Sequence, residues 1–156
     1  MANLYRPEFE PDDRPPGFGS RRARLGDELG CERIGASVWE VPPGEAAYPY
    51  HFHHADEELV IVVRGRPTLR TPDGERELEE GEAVRFPVGE EGAHQLRNDT
   101  SVDVTLLAVS SSGGPEVVVY PDSDKIGVRG GGLRAFFPRS AAVDYWSGEG
   151  GSPPPG

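Results

Sequence analysis

Glycine and proline recur at short intervals along this chain, 21 and 16 of them in 156 residues, and they are not gathered into one block. Inside a helix a glycine costs about 1 kcal/mol relative to alanine and a proline about 3 kcal/mol. The punctuation therefore disfavours long helices and asks for short elements joined by turns. Between the breaks lie runs rich in Val, Ile, Thr, Phe and Tyr, at 36–41, 59–64, 67–71, 83–86, 93–97, 102–109 and 117–120. Such runs predict strands, and short strands at regular spacing predict an all-β sandwich or barrel.

Turn chemistry agrees. Thr71-Pro72-Asp73-Gly74 has proline preset for the first turn position and a glycine for positive φ, which predicts a tight hairpin. Leu59-Val60-Ile61-Val62-Val63 is apolar at both parities, which predicts a central strand covered on both faces. Residues 1–35 are rich in proline and charge with little periodicity, and are expected to form an extended N-terminal arm. The expected barrel core is 36–112, followed by a C-terminal extension over 113–146 packing on the barrel and a mobile tail over 147–156 that ends in three prolines and a glycine.

The formal net charge is −11, which repels phosphate backbones and anionic headgroups, so nucleic acid and membrane are excluded as expected partners. The basic cluster Ser20-Arg21-Arg22-Ala23-Arg24 reads as a solvated segment, with a short anion contact as the other reading. A lone Cys31 cannot form an intramolecular disulfide. No run approaches the roughly 20 apolar residues of a membrane span, and the N-terminus lacks an apolar signal core. The expectation is a cytoplasmic protein.

Three of the four histidines fall within four residues, in Pro49-Tyr50-His51-Phe52-His53-His54. His51 and His53 are two apart, so on a strand both imidazoles project to one face and can share a cation. Glu58 follows at a spacing that lets 54–56 turn the chain and return a carboxylate from the start of the next strand. The segment 87–94 is a tight loop delivering His94. Three imidazoles and a carboxylate suit one divalent transition metal (Fe, Zn, Mn or Ni) with positions left open for water or substrate.

These residues resemble the cupins, in particular the small single-domain bacterial cupins of conserved-barrel type. Their first motif is matched by Gly44, His51-Phe52-His53, Glu58 and Gly65, and their second by Gly81, Pro87-Val88-Gly89, His94 and Asn98. Two spacers depart from the usual pattern: Gly44 to His51 is one residue longer, and four residues rather than two separate Gly89 from His94. Loops absorb such insertions readily. The resemblance implies a double-stranded β-helix, or jelly roll, with metal in the barrel mouth on His51, His53, Glu58 and His94. It also implies a homodimer that exchanges N-terminal strands. The six-residue step to Gly65 selects Glu58 over Glu57, which alternation turns the other way.

Around the motif, Tyr48, Tyr50, Glu57, Arg70, Arg85 and Gln95 are polar groups that could orient a substrate or support a ligand. Trp39, Phe86 and Leu96 read as core or as pocket lining. Asn98 shares the parity of His94 and reads either as a donor supporting that ligand or as a turn stabiliser. His54 and Asp56 are surface or supporting groups. No residue has a spacing that marks it as an acid or base. The function expected is a metal-dependent enzyme on a small molecule, of dioxygenase, isomerase or lyase/decarboxylase type. The alternatives are a non-catalytic small-ligand-binding or sensor protein, and a structural barrel whose site is unused.

Overall fold

Pleating decides which side of each strand is core, and the main sheet shows it directly. The structure is a computed structural model that describes residues 1–10 and 14–150. Numbered in chain order, the main sheet runs β1 (Arg21–Ala23), β2 (Ile34–Val41), β9 (Val104–Ser111), β4 (Glu58–Arg64), β7 (Ala83–Phe86). Opposite it lie two smaller sheets. One runs β6 (Gly74–Glu77), β5 (Thr68–Thr71), β8 (Gln95–Arg97), and the other β12 (Leu133–Pro138), β11 (Lys125–Gly130), β10 (Glu116–Tyr120), β3 (Phe52–His53). Isolated bridges Ala46↔Arg97 and His51↔His94 join these two pieces. All pairings are antiparallel, and the architecture is a jelly-roll barrel.

Val41, Val60, Val62, Leu69, Leu78, Leu96, Val104 and Leu106 fill the space between the main sheet and the β6–β5–β8 sheet with an apolar core. Apolar side chains thus plug one end of the barrel, and the other end keeps a cavity walled by the main sheet and β10–β12. The expected hairpin at 71–74 closes β5 on β6 with Thr71 paired to Gly74, whose φ is 122°.

Several expectations change. β4 is flanked by β9 and β7, yet only Val60 and Val62 are core, while Leu59 is 38% exposed and Ile61 and Val63 are half-buried. The reason is partial cover: Ala2, Leu4 and Phe9 pack around Ala23, Leu25, Val38, Ala36 and Leu107, over the β1–β2–β9 end of the outer face. The arm is therefore folded onto its own sheet, through β1 and a single helical turn at Leu25–Glu28. The strand expected at 93–97 begins at Gln95, and that expected at 102–109 runs from Val104 to Ser111.

Residues 116–138 supply three strands of the sheet that carries β3, in the segment expected as an appended extension. Their hairpin turns on Gly131-Gly132, with φ of 56° and 83°, the conformation a two-residue primed turn requires. Of the expected tail, 151–156 lie outside the described residues.

Candidate metal centre

His51 and His94 sit opposite each other in an antiparallel bridge, their backbones exchanging N–H···O bonds of 3.1 and 2.9 Å. Directly opposed residues share a face, so this pairing aims both rings into the barrel mouth. His53, two residues on, joins them, with its Nε2 3.1 Å from His51 Nε2. Glu58 at the start of β4 brings Oε2 to 3.4 Å from His53 Nε2 and 3.3 Å from His94 Nε2. Ligand atoms of His51, His53 and Glu58 all lie within 4.8 Å of one another.

The loop that delivers His94 has a strict requirement. The two extra residues before His94 are taken up by a 3₁₀ turn at Glu90–Gly92, which folds back against Pro87. A Cβ at Gly92 would lie 1.8 Å from the Pro87 carbonyl oxygen, so only glycine fits. Phe86, the last residue of β7, stacks on the His94 ring at 3.6 Å between centroids.

Hydrogen bonds set the tautomers. Nδ1 of His51 lies 2.8 Å from the Pro49 carbonyl and Nδ1 of His94 lies 2.9 Å from that of Gly92. A carbonyl only accepts, so each Nδ1 carries the proton and each Nε2 turns its lone pair inward. The buried His94 Nε2 has no hydrogen-bond partner and faces a carboxylate oxygen that is itself an acceptor. The separations of 3.1–3.4 Å between these ligand atoms match the roughly 3.0–3.4 Å between neighbouring ligands on a metal with bonds of about 2.1 Å. The donor set fits a divalent transition metal.

Charge follows the same logic. Burial, with His94 adjacent, pushes the His51 pKa down to about 3, so this ring is neutral at ordinary pH. Burial also opposes charging His53, but the hydrogen bond and charge of Glu58, then Glu116 and Asp56, outweigh it and raise its pKa. Burial would raise Glu58, yet contact with His53 and His94 holds it well below the usual carboxylate range. His53 and Glu58 thus each favour the other's charged form.

Around the cluster, Tyr48 packs edge-on to His51 and His94, its phenol buried without a hydrogen-bond partner and its pKa raised well above the usual value by burial. Tyr120 stacks on His51 at 5.8 Å. Glu116, 2% exposed, was not anticipated. Its carboxylate accepts from the backbone N–H of His54, Ala55 and Asp56, the turn between His53 and Glu58. Asp56 pairs with Arg129. Together with His53 these acids form a second cluster, but its oxygens are engaged by backbone N–H groups and a guanidinium, which makes it a brace for the turn.

Other residues singled out in the sequence fall elsewhere. Glu57 faces outward and pairs with Arg85. Arg70 lies over Tyr50, 4.1 Å from its ring centroid, and pairs with Asp122, both outside the cavity. Gln95 donates to the Tyr48 carbonyl at 3.1 Å, and Leu96 is plain core. Asn98 stabilises a turn: Nδ2 donates to Val41 and Val102 carbonyls at 2.8 and 2.7 Å, and Oδ1 accepts from Thr100. Trp39 is both core and cavity wall.

The solvated reading of the Arg21–Arg24 cluster is overturned at Arg22, which reaches into the cavity and hydrogen-bonds Ser37. Among the described residues, no helix is long and apolar enough to cross a membrane.

Fold and cluster together define a jelly-roll barrel with a histidine–carboxylate centre in its open end. Residues 37–110 match the family described as Cupin domain, and the chain is a cupin. Among solved structures it is similar to a sugar phosphate isomerase of the cupin superfamily from Silicibacter pomeroyi, at 26% identity and TM-score 0.81 over 91% of this chain and 94% of that one. A candidate sugar phosphate isomerase from Acidithiobacillus ferrooxidans is 27% identical, with TM-score 0.78 over 88% of each chain. The polyketide cyclase RemF from Streptomyces resistomycificus, at 24% identity and TM-score 0.60 over 71% of this chain and 78% of that one, shares the fold. No curated protein sequence matches the chain.

Proposed function

We propose that this cupin is a metal-dependent enzyme of isomerase or lyase type, acting on a small molecule with neighbouring carbonyl and hydroxyl oxygens. His51, His53, Glu58 and His94 hold one divalent transition metal through three Nε2 atoms and a carboxylate oxygen. The observation that carries the reading is the convergence of three Nε2 atoms and Glu58 Oε2, each 3.1–3.4 Å from a neighbouring ligand atom, with the His51 and His94 rings locked by Nδ1–H bonds to carbonyls. Such a metal, when bound, supplies Lewis-acid polarisation of a substrate carbonyl.

The chain's own groups complete the chemistry. Tyr48 is kept as a neutral phenol by burial, so it can donate a hydrogen bond to a substrate oxygen on which negative charge develops. Its orphaned hydroxyl is available for that purpose. Tyr120, stacked on His51, walls the cavity and restricts the orientations open to a ligand. The isomerase descriptions of two structures at 26% and 27% identity, aligned over about nine-tenths of the chain, support isomerisation above the other chemistries of the fold.

The test begins with metal content of purified protein beside His51→Ala and His94→Ala, after anaerobic reconstitution with Fe(II) and separately with Zn(II). The expected result is about one metal per wild-type chain and loss in both variants. Proton NMR in deuterated water then follows exchange at the carbon next to the carbonyl of aldoses and ketoses. Metal-dependent exchange supports the proposal. A wild type that takes up no metal, or a loaded protein that binds such compounds and returns them unchanged, overturns it.

A further inference from the structure

Arg22 is a partly buried cation whose hydrogen-bond partner is neutral. Register explains why it is inside: β1 sets Arg22 opposite Trp39, and opposed residues share a face, so Arg22 must follow Trp39 into the barrel while Arg21 and Ala23 turn outward. Its Nε and Nη2 lie 3.0 and 2.8 Å from Ser37 Oγ, and its guanidinium lies 5.0 Å from the Trp39 ring centroid. A guanidinium has five N–H donors, so three remain uncommitted.

Neighbouring arginines are treated differently. Arg21 pairs with Glu40, Arg24 with Glu10 and Arg129 with Asp56. Among the described residues no carboxylate pairs with Arg22, although burial lowers its pKa only to about 10 and leaves it charged at neutral pH. Arg134 lines the same cavity and packs by Phe136, again with no carboxylate partner among the described residues. Removing a charge from water without a directly paired counter-charge is costly, and burial is the largest influence on the Arg22 pKa. In a chain of net charge −11 acids are plentiful, yet none forms an ion pair with Arg22 among the described residues; Glu10 and Glu58 support its charge only from a distance, and Arg134 is exposed at the rim.

The cavity they line has a volume of about 390 Å³, within the range of small-ligand sites, and also contains His51, His53 and Glu58. Resting on the metal-site reading above, we infer that Arg22, with Arg134 at the mouth, binds an oxyanion of the substrate, a phosphate or carboxylate group, so that the remainder of the molecule reaches the histidine cluster. The site thereby selects acidic substrates, and the guanidinium fork fixes which end enters.

The experiment is a titration of zinc-loaded, full-length protein with inorganic phosphate and, separately, acetate, followed through the ¹⁵N resonances of arginine Nε–H groups. Arg22→Gln assigns the Arg22 resonance by removing it. We expect that resonance to shift saturably, and the affinity of Arg22→Gln for the same anion to fall at least about tenfold, with zinc content unchanged. Tighter phosphate points to a phosphorylated substrate and tighter acetate to a carboxylic acid. An Arg22 resonance indifferent to both anions, or equal affinity in wild type and Arg22→Gln, overturns the inference. Repeating the titration on chelator-treated protein separates the two claims, since the Arg22 response is read without metal while the metal-site reading fails only through metal content. If Arg22→Gln does not fold, Arg22→Lys, which keeps the charge and loses the fork, is read in the same way.

Discussion

The ring of Phe86 lies flat on the imidazole of His94, with centroids 3.6 Å apart and planes 7° from parallel. With Nδ1 held by the Gly92 carbonyl, His94 is clamped at its face and at one nitrogen, so its Nε2 has one direction in which to point. Phe86→Ala removes the clamp and opens a cavity beside the core, a change that typically costs about 3–5 kcal/mol. The expected outcome is a lowered melting temperature and a roughly tenfold or greater loss of zinc affinity, measured with a competing chelator. Phe86→Leu should recover most of the stability and little of the affinity. Equal zinc affinity in all three proteins would show that the stack does not orient His94.

Glu116 concerns the opposite side of the cluster. Its two oxygens hold three successive N–H groups of the turn between His53 and Glu58, and it is almost wholly buried. Glu116→Gln replaces one acceptor with a donor facing a donor, which leaves at least one buried N–H unpaired at a cost of about 1–3 kcal/mol. Thermal unfolding should drop by several degrees, and zinc affinity should fall with it. A variant as stable as wild type would mean that the turn holds itself.

Asn98 is the contrasting case, because its bonds to Val41, Val102 and Thr100 close a turn away from the cavity. Asn98→Ala strands buried carbonyls and should destabilise by roughly 2–4 kcal/mol in denaturant unfolding. Metal stoichiometry below the unfolding transition should match wild type. Loss of metal from a folded Asn98→Ala protein would reassign this residue to the site.

What could be read in advance follows from what each signal depends on. The β-branched runs of β4, β5, β7 and β9 declare themselves locally, and so do His51, His53, Glu58 and His94, because motif spacing and pleat parity are sequence properties. The β11–β12 hairpin had a local signal too, Gly131-Gly132 between Ile126-Gly127-Val128 and Leu133–Phe137, obscured by the charges and glycines around it.

Arg22 was hidden for a different reason. A three-residue edge strand has too little pattern to reveal itself, and only pairing with β2 shows that the middle arginine must face in. Glu116 left no signal at all, since the N–H groups it holds are 60 to 62 residues away and a buried acid looks like a surface one in sequence. Leu59 misled because an apolar residue on an outer face is indistinguishable from core until its cover is known.

Acid should unfold the metal-free protein partly through His51. Burial pushes this imidazole from the usual 6.5 to about 3, so between those values the unfolded chain binds a proton that the folded chain refuses. Stability must then fall as pH drops from about 6.5 towards 3, by at most about 1.4 kcal/mol per pH unit. Glu58, held below its usual range, acts in the same direction, its contribution present above its unfolded pKa and lost as pH falls through the folded one. His53 has the opposite sign: its raised pKa contributes stability that is full below 6.5 and lost as pH rises through its folded value. Comparing wild type with His51→Gln isolates the first of these. In chelator-treated samples, the stability difference between wild type and variant should move in favour of the variant as pH goes from 7 to 4, measured by urea unfolding at each pH. A difference that stays constant across this interval would mean that His51 is not held neutral by burial in the folded chain.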